Sequence, residues 1–392
     1  MYFILFIVFV LCIYGILHSY LFYPLYLFAT TTTVGKQNDR TYQPGEELPE
    51  LAVLCAAYNE EKVIRQKIES VFTSSYPSGK IKFYIGSDAS TDNTNAIIKE
   101  LRQKYPQLVL VEFPGRTGKS GIINKLAEGS IEEIFIMTDA NVIFKYDTLL
   151  NLVKHFKDEE VKLVAANIIK LSPTNEGIAS QEKNYIGFEN RIKHCESIKW
   201  QAVMGAEGGC YAIRKDHFSP VPPKFFMDDF YITMNVLERK GKVLFEPDAI
   251  CNEDVPTQAE EEFKRKVRIS IGNFQNLSRY KKLLMPFWKG TGFAFLSHKV
   301  LRWYTPFLII ACFIVSIFLS NYSWIYGLLS IGQLLLFLSP LLDKLFSDAG
   351  IQIGVLRYAA HFYLMNLALL KGFFVYVIGV ESNIWEPTKR NT

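Results

Sequence analysis

Three short polar clusters in the first half of the chain have the residue types of a site for a metal-bound diphosphate. They are AAYNEE (residues 56–61), SDASTDNT (87–94) and TDAN (138–141), and each follows a run of apolar residues. Asp88 and Asp139 lie in the second and third clusters. Proteins hold Mg²⁺ or Mn²⁺ with oxygen ligands, often one or two carboxylates together with substrate phosphates. The two carboxylates therefore favour a site of that kind.

A fourth segment, FPGRTGKSGIIN (113–124), adds positive charge and glycine. A nucleoside-triphosphate P-loop requires a glycine five residues before the Gly-Lys pair, and Phe113 occupies that position before Gly118, so a P-loop is not expected. The segment follows a short apolar run and opens a helical pattern, which would bring Arg116, Lys119 and backbone N–H groups to an anion. By itself, a lysine in a glycine-rich turn is more often simply solvated.

The elements that must position these residues can be read from the hydrophobic pattern between residues 50 and 170. Five runs with the composition of β-strands, LAVLCAA, KFYIG, LVLVE, IFIMT and KLVAAN, alternate with helical patterns that begin near Glu60, Thr94, Ser120 and Thr148. This alternation predicts an α/β fold with a mostly parallel sheet and helices on both of its faces. Ligands of such sheets bind outside the carboxyl ends of the strands, so the polar clusters are expected to converge in one crevice.

Apolar segments predict membrane helices on both sides of this domain. Residues 1–35 contain no charged side chain, and their apolar run exceeds the roughly 20 residues that cross a bilayer. We expect a retained anchor rather than a cleaved signal peptide, because a basic n-region is missing. Lys36 and Arg40 follow this run, which favours the cytoplasmic side for the middle domain.

Three further apolar segments follow the middle domain, at 305–320, 323–342 and 358–379. The first two are expected to form a hairpin across Asn321 and Tyr322. The third contains Lys371 and is a span, a tilted interface helix or part of a re-entrant unit, so the side of the C-terminus stays open. The predicted domains are a transmembrane anchor (1–35), a cytoplasmic domain (48–260), amphipathic interface helices (261–300), a C-terminal transmembrane region (301–381) and a tail (382–392).

The composition excludes several other classes of protein. A net charge of +4, with acidic residues spread along the chain, gives no indication of nucleic-acid binding. The 6 cysteines show no C-x-x-C spacing, so the sequence predicts neither a disulfide framework nor a zinc site. A hydrophobic content of 49% argues against a disordered chain.

Taken together, six motifs resemble those of the family 2 glycosyltransferases with the GT-A fold, and more closely the membrane-embedded synthases related to cellulose and hyaluronan synthase. In chain order they are AAYNEE, SDASTDNT, RTGKSGIIN, TDAN, MDDF followed by RKGKVLFEPDA, and RKVRI. Each motif is weak alone, but their order and spacing over residues 51–268 are specific. The resemblance implies a GT-A nucleotide-sugar-binding domain in the predicted α/β sheet.

The resemblance implies roles for the residues of the first four motifs. The ends of the first two strands would hold the nucleotide, the cationic loop would lie beside the phosphates or ribose, and the D-x-D metal motif corresponds here to Asp139 and Asn141. Asparagine is a poorer metal ligand than aspartate. The substrate-binding residues implied in this way are Ala57, Tyr58, Glu60, Asp88, Arg116, Lys119 and Asp139. The alternatives are a helix N-terminal charge for Glu60 and turn-forming aspartates for Asp88 and Asp139.

The later motifs would supply the acceptor site and the base. By resemblance, Asp228 and Asp229 are the acidic pair, and Asp229 is the catalytic base that takes the proton of the acceptor hydroxyl. The alternative is that one of them caps the helix that stops at Gly241. Gly208 and Gly209, in GAEGGCYAIRK (205–215), would shape the acceptor site, or they simply form a glycine-rich turn before a strand.

The segment RKVRI stands where the family carries its Q-x-x-R-W motif. Arg265 replaces the glutamine, Arg268 keeps the arginine that would neutralise the leaving diphosphate, and Ile269 replaces the tryptophan. Both arginines are therefore predicted substrate-binding residues, although the same segment also suits an interface helix whose cations reach towards lipid headgroups. Loss of the tryptophan argues against processive polymer synthesis.

The resemblance thus implies an inverting glycosyltransferase that uses a UDP-sugar donor with Mg²⁺ or Mn²⁺. Its acceptor would be a polysaccharide or a lipid-linked sugar acceptor at the membrane, and its place a bacterial inner membrane with the catalytic domain in the cytoplasm. Membrane lipids and a synthesis or export complex are the other expected partners. The alternative from another class is a catalytically weak scaffold subunit of such a complex, because Asn141 and the altered last motif depart from the family pattern.

Overall fold

The computed structural model describes residues 1–32, 38, 40–171, 178–254 and 259–380. The predicted tail (382–392) and Lys36 lie outside the described residues. The chain forms two compact units. One contains Leu27–Thr257, and the other contains Met1–Tyr26 and the C-terminal part from Gln258 to Val380.

The helices and strands follow in chain order. The strands are β1 (Leu51–Ala57), β2 (Ile81–Ser87), β3 (Leu108–Glu112), β4 (Ile134–Asp139), β5 (Val142–Phe144), β6 (Val161–Leu171), β7 (Cys210–Arg214) and β8 (Lys242–Asp254). The helices are α1 (Tyr2–Leu17), α2 (Tyr23–Thr31), α3 (Ile64–Phe72), α4 (Thr94–Lys104), α5 (Lys119–Gly129), α6 (Thr148–Val153), α7 (Ile178–Trp200), α8 (Asp228–Glu238), α9 (Ala259–Tyr280), α10 (Gly290–Ala294), α11 (Leu301–Leu319), α12 (Trp324–Phe337), α13 (Ser339–Asp348) and α14 (Gly354–Ile378).

The first unit is built on an eight-stranded sheet in the order β3-β2-β1-β4-β7-β6-β8-β5. Parallel pairing joins β3, β2, β1 and β4, and also β6 with β8. Strand β7 runs antiparallel between β4 and β6, and β5 is antiparallel to β8. All five strands expected from the sequence are present. The patterns do not single out β5 or β8. Strand β7 follows the glycine-rich segment, as the alternative for Gly208 and Gly209 expects, and its insertion makes the sheet mixed.

Helices pack on both faces of the sheet, as the alternating pattern predicts. On one face, α3 places Ile64, Ile68 and Val71 at helical spacing into the buried core. On the other, α5 approaches β2 so closely that a Cβ on Gly86 would lie 2.2 Å from the Ile122 side chain. The carboxyl ends of β1, β2 and β4 therefore open at one edge between these two layers.

The second unit is helical and apolar. Among the described residues, three helical segments are long and apolar enough to cross a membrane: Tyr2–Thr31, Gly290–Leu319 and Gly354–Ile378. A 30-residue helix is about 45 Å long, against a hydrocarbon core of about 30 Å. The middle segment begins at Gly290, earlier than its most apolar part, so it includes residues that the sequence assigns to interface helices. Cys12 of α1 packs with Cys312 and Val315 of α11 in a small apolar cluster.

A fourth apolar segment is broken. Helices α12 and α13 meet at Leu338 with a bend of 51°. Pro340 in the first turn of α13 cannot donate a backbone hydrogen bond, which explains why one helix does not continue through this point. The expected hairpin between the first two C-terminal segments is present, with the Ser316 and Ser330 hydroxyls 2.9 Å apart across α11 and α12.

Helix α9 carries the RKVRI segment and packs on α14. The Ser270 hydroxyl donates to the Leu369 carbonyl at 2.7 Å, and Gly372 leaves the room for Ser270. The ammonium of Lys371 lies 5.8 Å from the ring centroid of Phe263 on α9. The cation inside the last apolar segment therefore faces a neighbouring helix of the same unit.

Candidate active site

The first two polar clusters interlock at the carboxyl ends of β1 and β2. The backbone N–H of Asn59 donates to the Ser90 hydroxyl at 3.2 Å, and the Asn59 side chain accepts from the N–H of Thr91 at 2.8 Å. The N–H of Glu61 donates to the Asp92 carboxylate at 3.1 Å. Asn59 itself has a left-handed backbone, with φ of +53°, which asparagine tolerates well. The two loops thus form one preorganised rim.

Asp88 fastens the cationic loop to this rim. Its buried carboxylate accepts hydrogen bonds from the N–H groups of Thr117 (2.5 Å) and Gly118 (3.2 Å) and from Nε of Arg116 (3.0 Å). The Arg116 guanidinium in turn lies 3.5 Å from the centroid of the Tyr58 ring. Asp88, Arg116 and Tyr58, which the sequence predicts as separate nucleotide contacts, therefore form one assembly.

Ala57 and Glu60 lie on the same rim. Ala57 ends β1 and is buried, and its carbonyl accepts from the N–H of Asp88 at 2.9 Å. Glu60 is buried, its N–H donates to the Thr94 hydroxyl, and its carbonyl accepts from the N–H of Ile64 at 2.9 Å. The backbone of Glu60 thus lies in the turn just before helix α3, and both its nucleotide role and the helix-charge alternative stay predictions.

Three carboxylates and one ammonium form the centre of the site. The ammonium of Lys119 is 2.6 Å from Asp139 Oδ1 and 3.9 Å from Asp228 Oδ2. It also lies 3.5 Å from the Gly208 carbonyl. Burial alone would lower the pKa of Lys119, but the charges of Asp139, Asp228 and Asp229 outweigh it and raise the pKa. Lys119 therefore stays protonated, and its positive charge lies between carboxylates that come from β4 and α8.

Asp229 has the environment of a tuned base. Burial raises its pKa from 3.8 to about 7, and the adjacent charge of Asp228 acts in the same direction, while Lys119 opposes it. A carboxylate with a pKa near the working pH is suited to general-base catalysis. Its Oδ1 accepts from the N–H of Phe230 at 2.7 Å, which fixes one oxygen.

The glycine pair lies directly beside this base. A Cβ on Gly208 would come within 3.0 Å of Asp229 Oδ2, so this position admits no side chain without displacing the carboxylate. A Cβ on Gly209 would instead meet Ile168 at 2.7 Å in the core. Of the two glycines that the resemblance links to the acceptor, Gly208 lies next to the base and Gly209 packs in the core, and the acceptor role of both stays a prediction.

The sequence patterns miss Thr233, which holds the loop of residues 205–209 beside the base Asp229 (the base loop). Thr233 on α8 accepts from the N–H of Ala206 at 3.1 Å and donates to the Asp229 carbonyl at 2.7 Å. Met227, which precedes the acidic pair, has φ of +58°, an uncommon backbone for a residue with a side chain. Thr233 lies four residues after Asp229 on the predicted helix, and this spacing indicates that the two residues are neighbours on one face.

The donor set for a divalent metal is small. The Asp139 side chain is 34% exposed and so accessible to a ligand. The Asn141 amide lies on the same turn, and its Nδ2 is 3.5 Å from Glu253 Oε1. Within the described ranges, no group of three or more His, Cys, Asp or Glu side chains has the arrangement of a metal site. Asp139 and Asn141 offer one carboxylate and one amide oxygen, a small donor set that fits a metal such as Mg²⁺, which is often held by one or two carboxylates together with substrate phosphates.

Arg265 and Arg268 belong to α9 of the helical unit. Arg265 Nε lies 3.2 Å from a carboxylate oxygen of Glu262 one turn earlier. Lys266 pairs with the same carboxylate at 3.2 Å. The substrate roles of both arginines stay predictions.

Residues 52–219 match the family model described as Glycosyl transferase family 2. The chain carries a family 2 glycosyltransferase domain. The prediction from the six motifs is therefore confirmed for this domain, as is the α/β GT-A fold. The match ends before the acidic pair at Asp228 and Asp229, which lie beyond it in the same compact unit.

Two relatives extend the comparison. The chain is 31% identical over 169 residues to the beta-monoglucosyldiacylglycerol synthase of Nostoc sp., covering 43% of this chain and 34% of that protein. It is 23% identical over 238 residues to the poly-beta-1,6-N-acetyl-D-glucosamine synthase of Staphylococcus epidermidis, covering 60% of this chain and 57% of that protein. The chain thus spans about a third to over half the length of these relatives.

The fold has a close counterpart among solved structures. A mannosyltransferase of Pyrobaculum calidifontis, solved in complex with GDP-Man and Mn²⁺, superimposes with a TM-score of 0.68. The superposition covers 94% of this chain and 99% of that chain at 19% sequence identity. This likeness establishes the fold.

Proposed function

We propose that this protein is an inverting glycosyltransferase that moves a sugar from a nucleotide-diphosphate donor to a lipid-linked acceptor at a membrane. The observation that carries the proposal is that Asp139 and Lys119, within the residues matched to family 2, meet Asp229 of the same compact unit in one site. In this site the acceptor hydroxyl attacks the anomeric carbon, Asp229 takes its proton, and the nucleoside diphosphate leaves from the opposite face. Single displacement of this kind inverts the anomeric configuration.

The donor occupies the edge formed by Asp88, Arg116 and Lys119. The rim of Tyr58 and Asp88 supports the nucleoside, and the two cations balance the diphosphate charge. A bound Mg²⁺ or Mn²⁺ would be held by Asp139, with Asn141 as a neutral second oxygen, and would stabilise the leaving diphosphate. The resemblance implies a UDP-sugar. A GDP-sugar is the competing donor, because the solved mannosyltransferase of this fold holds GDP-Man.

A lipid-linked acceptor is favoured over a growing polymer. The relative with the higher identity of the two, at 31%, is named for a glucosylated diacylglycerol. Ile269 replaces the aromatic residue with which the resembling synthases meet the acceptor sugar. Three candidate spans support a location in a membrane, where a lipid acceptor is available. Arg40 after the first span favours the cytoplasmic side for the catalytic domain.

Product analysis tests this proposal. Purified full-length protein is incubated in lipid vesicles with radiolabelled UDP-sugars and GDP-sugars and Mn²⁺, and the label is separated into lipid-extractable, polymeric and free fractions. We expect one nucleotide sugar to label the lipid fraction, with inverted anomeric configuration by NMR, and Asp229→Asn to abolish this. Label in a long polymer would instead indicate a polysaccharide acceptor. Failure of all donors, with the Asn variant identical to the wild type, would favour the scaffold subunit.

A further inference from the structure

A lysine ammonium lies buried directly behind the Asp139 turn. Lys67 on α3 is fully buried, and it shares the helix face of Ile64, Ile68 and Val71. Among the residues that the structure describes, no carboxylate lies within ion-pair distance of its nitrogen. Burial lowers the pKa of Lys67, and the charge of Asp139 opposes this without outweighing it.

The three donor directions of this ammonium are all used. Its Nζ donates to the Thr138 hydroxyl at 2.8 Å and to the Val142 carbonyl at 2.5 Å, and it lies 3.5 Å from the centroid of the Phe144 ring. Thr138 and Val142 are the two ends of the turn that carries Asp139. One side chain from α3 therefore ties the end of β4 to the start of β5.

Thr138 passes this connection on to the base loop. Its hydroxyl donates to the Gly209 carbonyl at 3.0 Å, and the same carbonyl accepts from the N–H of Asp139 at 3.2 Å. Gly209 follows Gly208, the residue on which a Cβ would lie 3.0 Å from Asp229 Oδ2. A continuous set of hydrogen bonds thus runs from Lys67 through the Asp139 turn to the loop beside the base.

Stability does not account for a lysine at this position. Burying a cation without a counter-charge is costly, and well-packed apolar substitutes for buried charges are often neutral or stabilising. Methionine at position 67 would suit the apolar face of α3. It would, however, release both ends of the turn at once.

We propose that Lys67 is a positioning residue that holds the Asp139 turn in the geometry needed to bind the metal–diphosphate group of the donor. This inference rests on the proposed function, because it assigns Lys67 to that site. Lys67 acts through Thr138 and Val142 and does not itself contact substrate. Its removal therefore weakens metal and donor binding more than it affects the fold or the chemical step.

The test compares Lys67→Met and Lys67→Gln with the wild type, as full-length protein in detergent. Mn²⁺ binding is measured by the EPR signal of free Mn²⁺ in the presence of UDP and, separately, GDP. We expect Lys67→Met to bind Mn²⁺ at least tenfold more weakly and to raise the donor KM, with kcat at saturation and Tm changing little. Glutamine keeps N–H donors and should restore part of the affinity. Lys80→Met is the matched control, because the Lys80 ammonium also donates to a backbone carbonyl, that of Leu48, but at the opposite end of β2.

Hydrogen exchange supplies a readout that is independent of the donor. Amides of residues 138–142 should exchange faster in Lys67→Met than in the wild type or in Lys80→Met. Wild-type Mn²⁺ affinity and exchange in Lys67→Met would overturn the inference. If the wild type binds no Mn²⁺ with either nucleotide, the proposed function fails, while exchange still decides whether Lys67 holds the turn. If Lys67→Met does not fold, Thr138→Val takes its place, since it breaks the same connection and should show the same losses.

Discussion

Replacing Asp229 by asparagine should remove activity and at the same time stabilise the protein, by an amount that depends on pH. The wild-type carboxylate is held in a buried place beside Asp228, which raises its pKa from 3.8 to about 7. An acid whose pKa is raised by folding destabilises the folded state once the pH exceeds its unfolded value. The cost grows from about pH 4 to about pH 7 and is complete above that. Asparagine keeps the shape and removes this cost.

The size of the effect follows from the pKa. A rise from 3.8 to about 7 spans about 3 pH units, and at about 1.36 kcal/mol per unit this gives about 4 kcal/mol at most. The gain in Asp229→Asn should therefore approach this value at about pH 8 and be much smaller at about pH 5. For a domain of this size each kcal/mol moves Tm by about 2–4 °C. Loss of a general base should cost about 10²-fold or more in kcat.

The assay is thermal unfolding of the full-length protein in detergent, followed by intrinsic fluorescence at both pH values, together with sugar transfer. Asp216→Asn is the control, because burial of Asp216 is outweighed by its bond to His217 and its pKa is lowered. Asparagine there should give no gain at the higher pH. An equal gain for Asp229→Asn at both pH values would refute the account of its environment. Transfer within tenfold of the wild type would refute its role as base.

Three further predictions concern the same centre. In the wild type, kcat/KM should fall as the pH drops through about 7, because Asp229 becomes protonated. In Asp228→Asn this fall should occur at lower pH, because the like charge that raises the pKa of Asp229 is gone. A pH–rate profile with the fall at the same pH in both proteins would contradict this. Gly208→Ala should lower kcat at least about tenfold with little change in Tm, since its Cβ would lie 3.0 Å from the Asp229 carboxylate; Gly129→Ala, with nothing within 4 Å, is the control. Lys119→Met should raise the donor KM in steady-state assays by about tenfold or more, as expected when a charge-assisted contact to a diphosphate is lost, and an unchanged KM would place the diphosphate elsewhere.

Much of the sheet and of the site follows from local patterns. Apolar runs that end in polar clusters predict β1, β2 and β4, and parallel strands bring those clusters to one edge. Asp88 and Asp139 are predictable on this ground alone. Asp228 and Asp229 come from motif resemblance, since they are far along the chain from the strands whose edge they reach.

The remaining features depend on contacts between distant segments. Strand β7 inserts antiparallel between β4 and β6, and this insertion brings Gly208 beside Asp229. No local pattern encodes such a pairing, because it depends on side-chain packing of both neighbours. Lys67 is different. It interrupts the apolar stripe of α3 at the position between Ile64 and Ile68. A lysine on a face that the sequence predicts to be buried can be recognised from the sequence alone.

The bend at Leu338 determines the parity of membrane crossings in the C-terminal region. Helix α12 has 14 residues, or about 21 Å, which is shorter than the roughly 30 Å of hydrocarbon. If α12 and α13 enter the membrane and turn back, only the candidate spans Gly290–Leu319 and Gly354–Ile378 cross it after residue 290. Two crossings return the chain to the side of the membrane on which residue 290 lies.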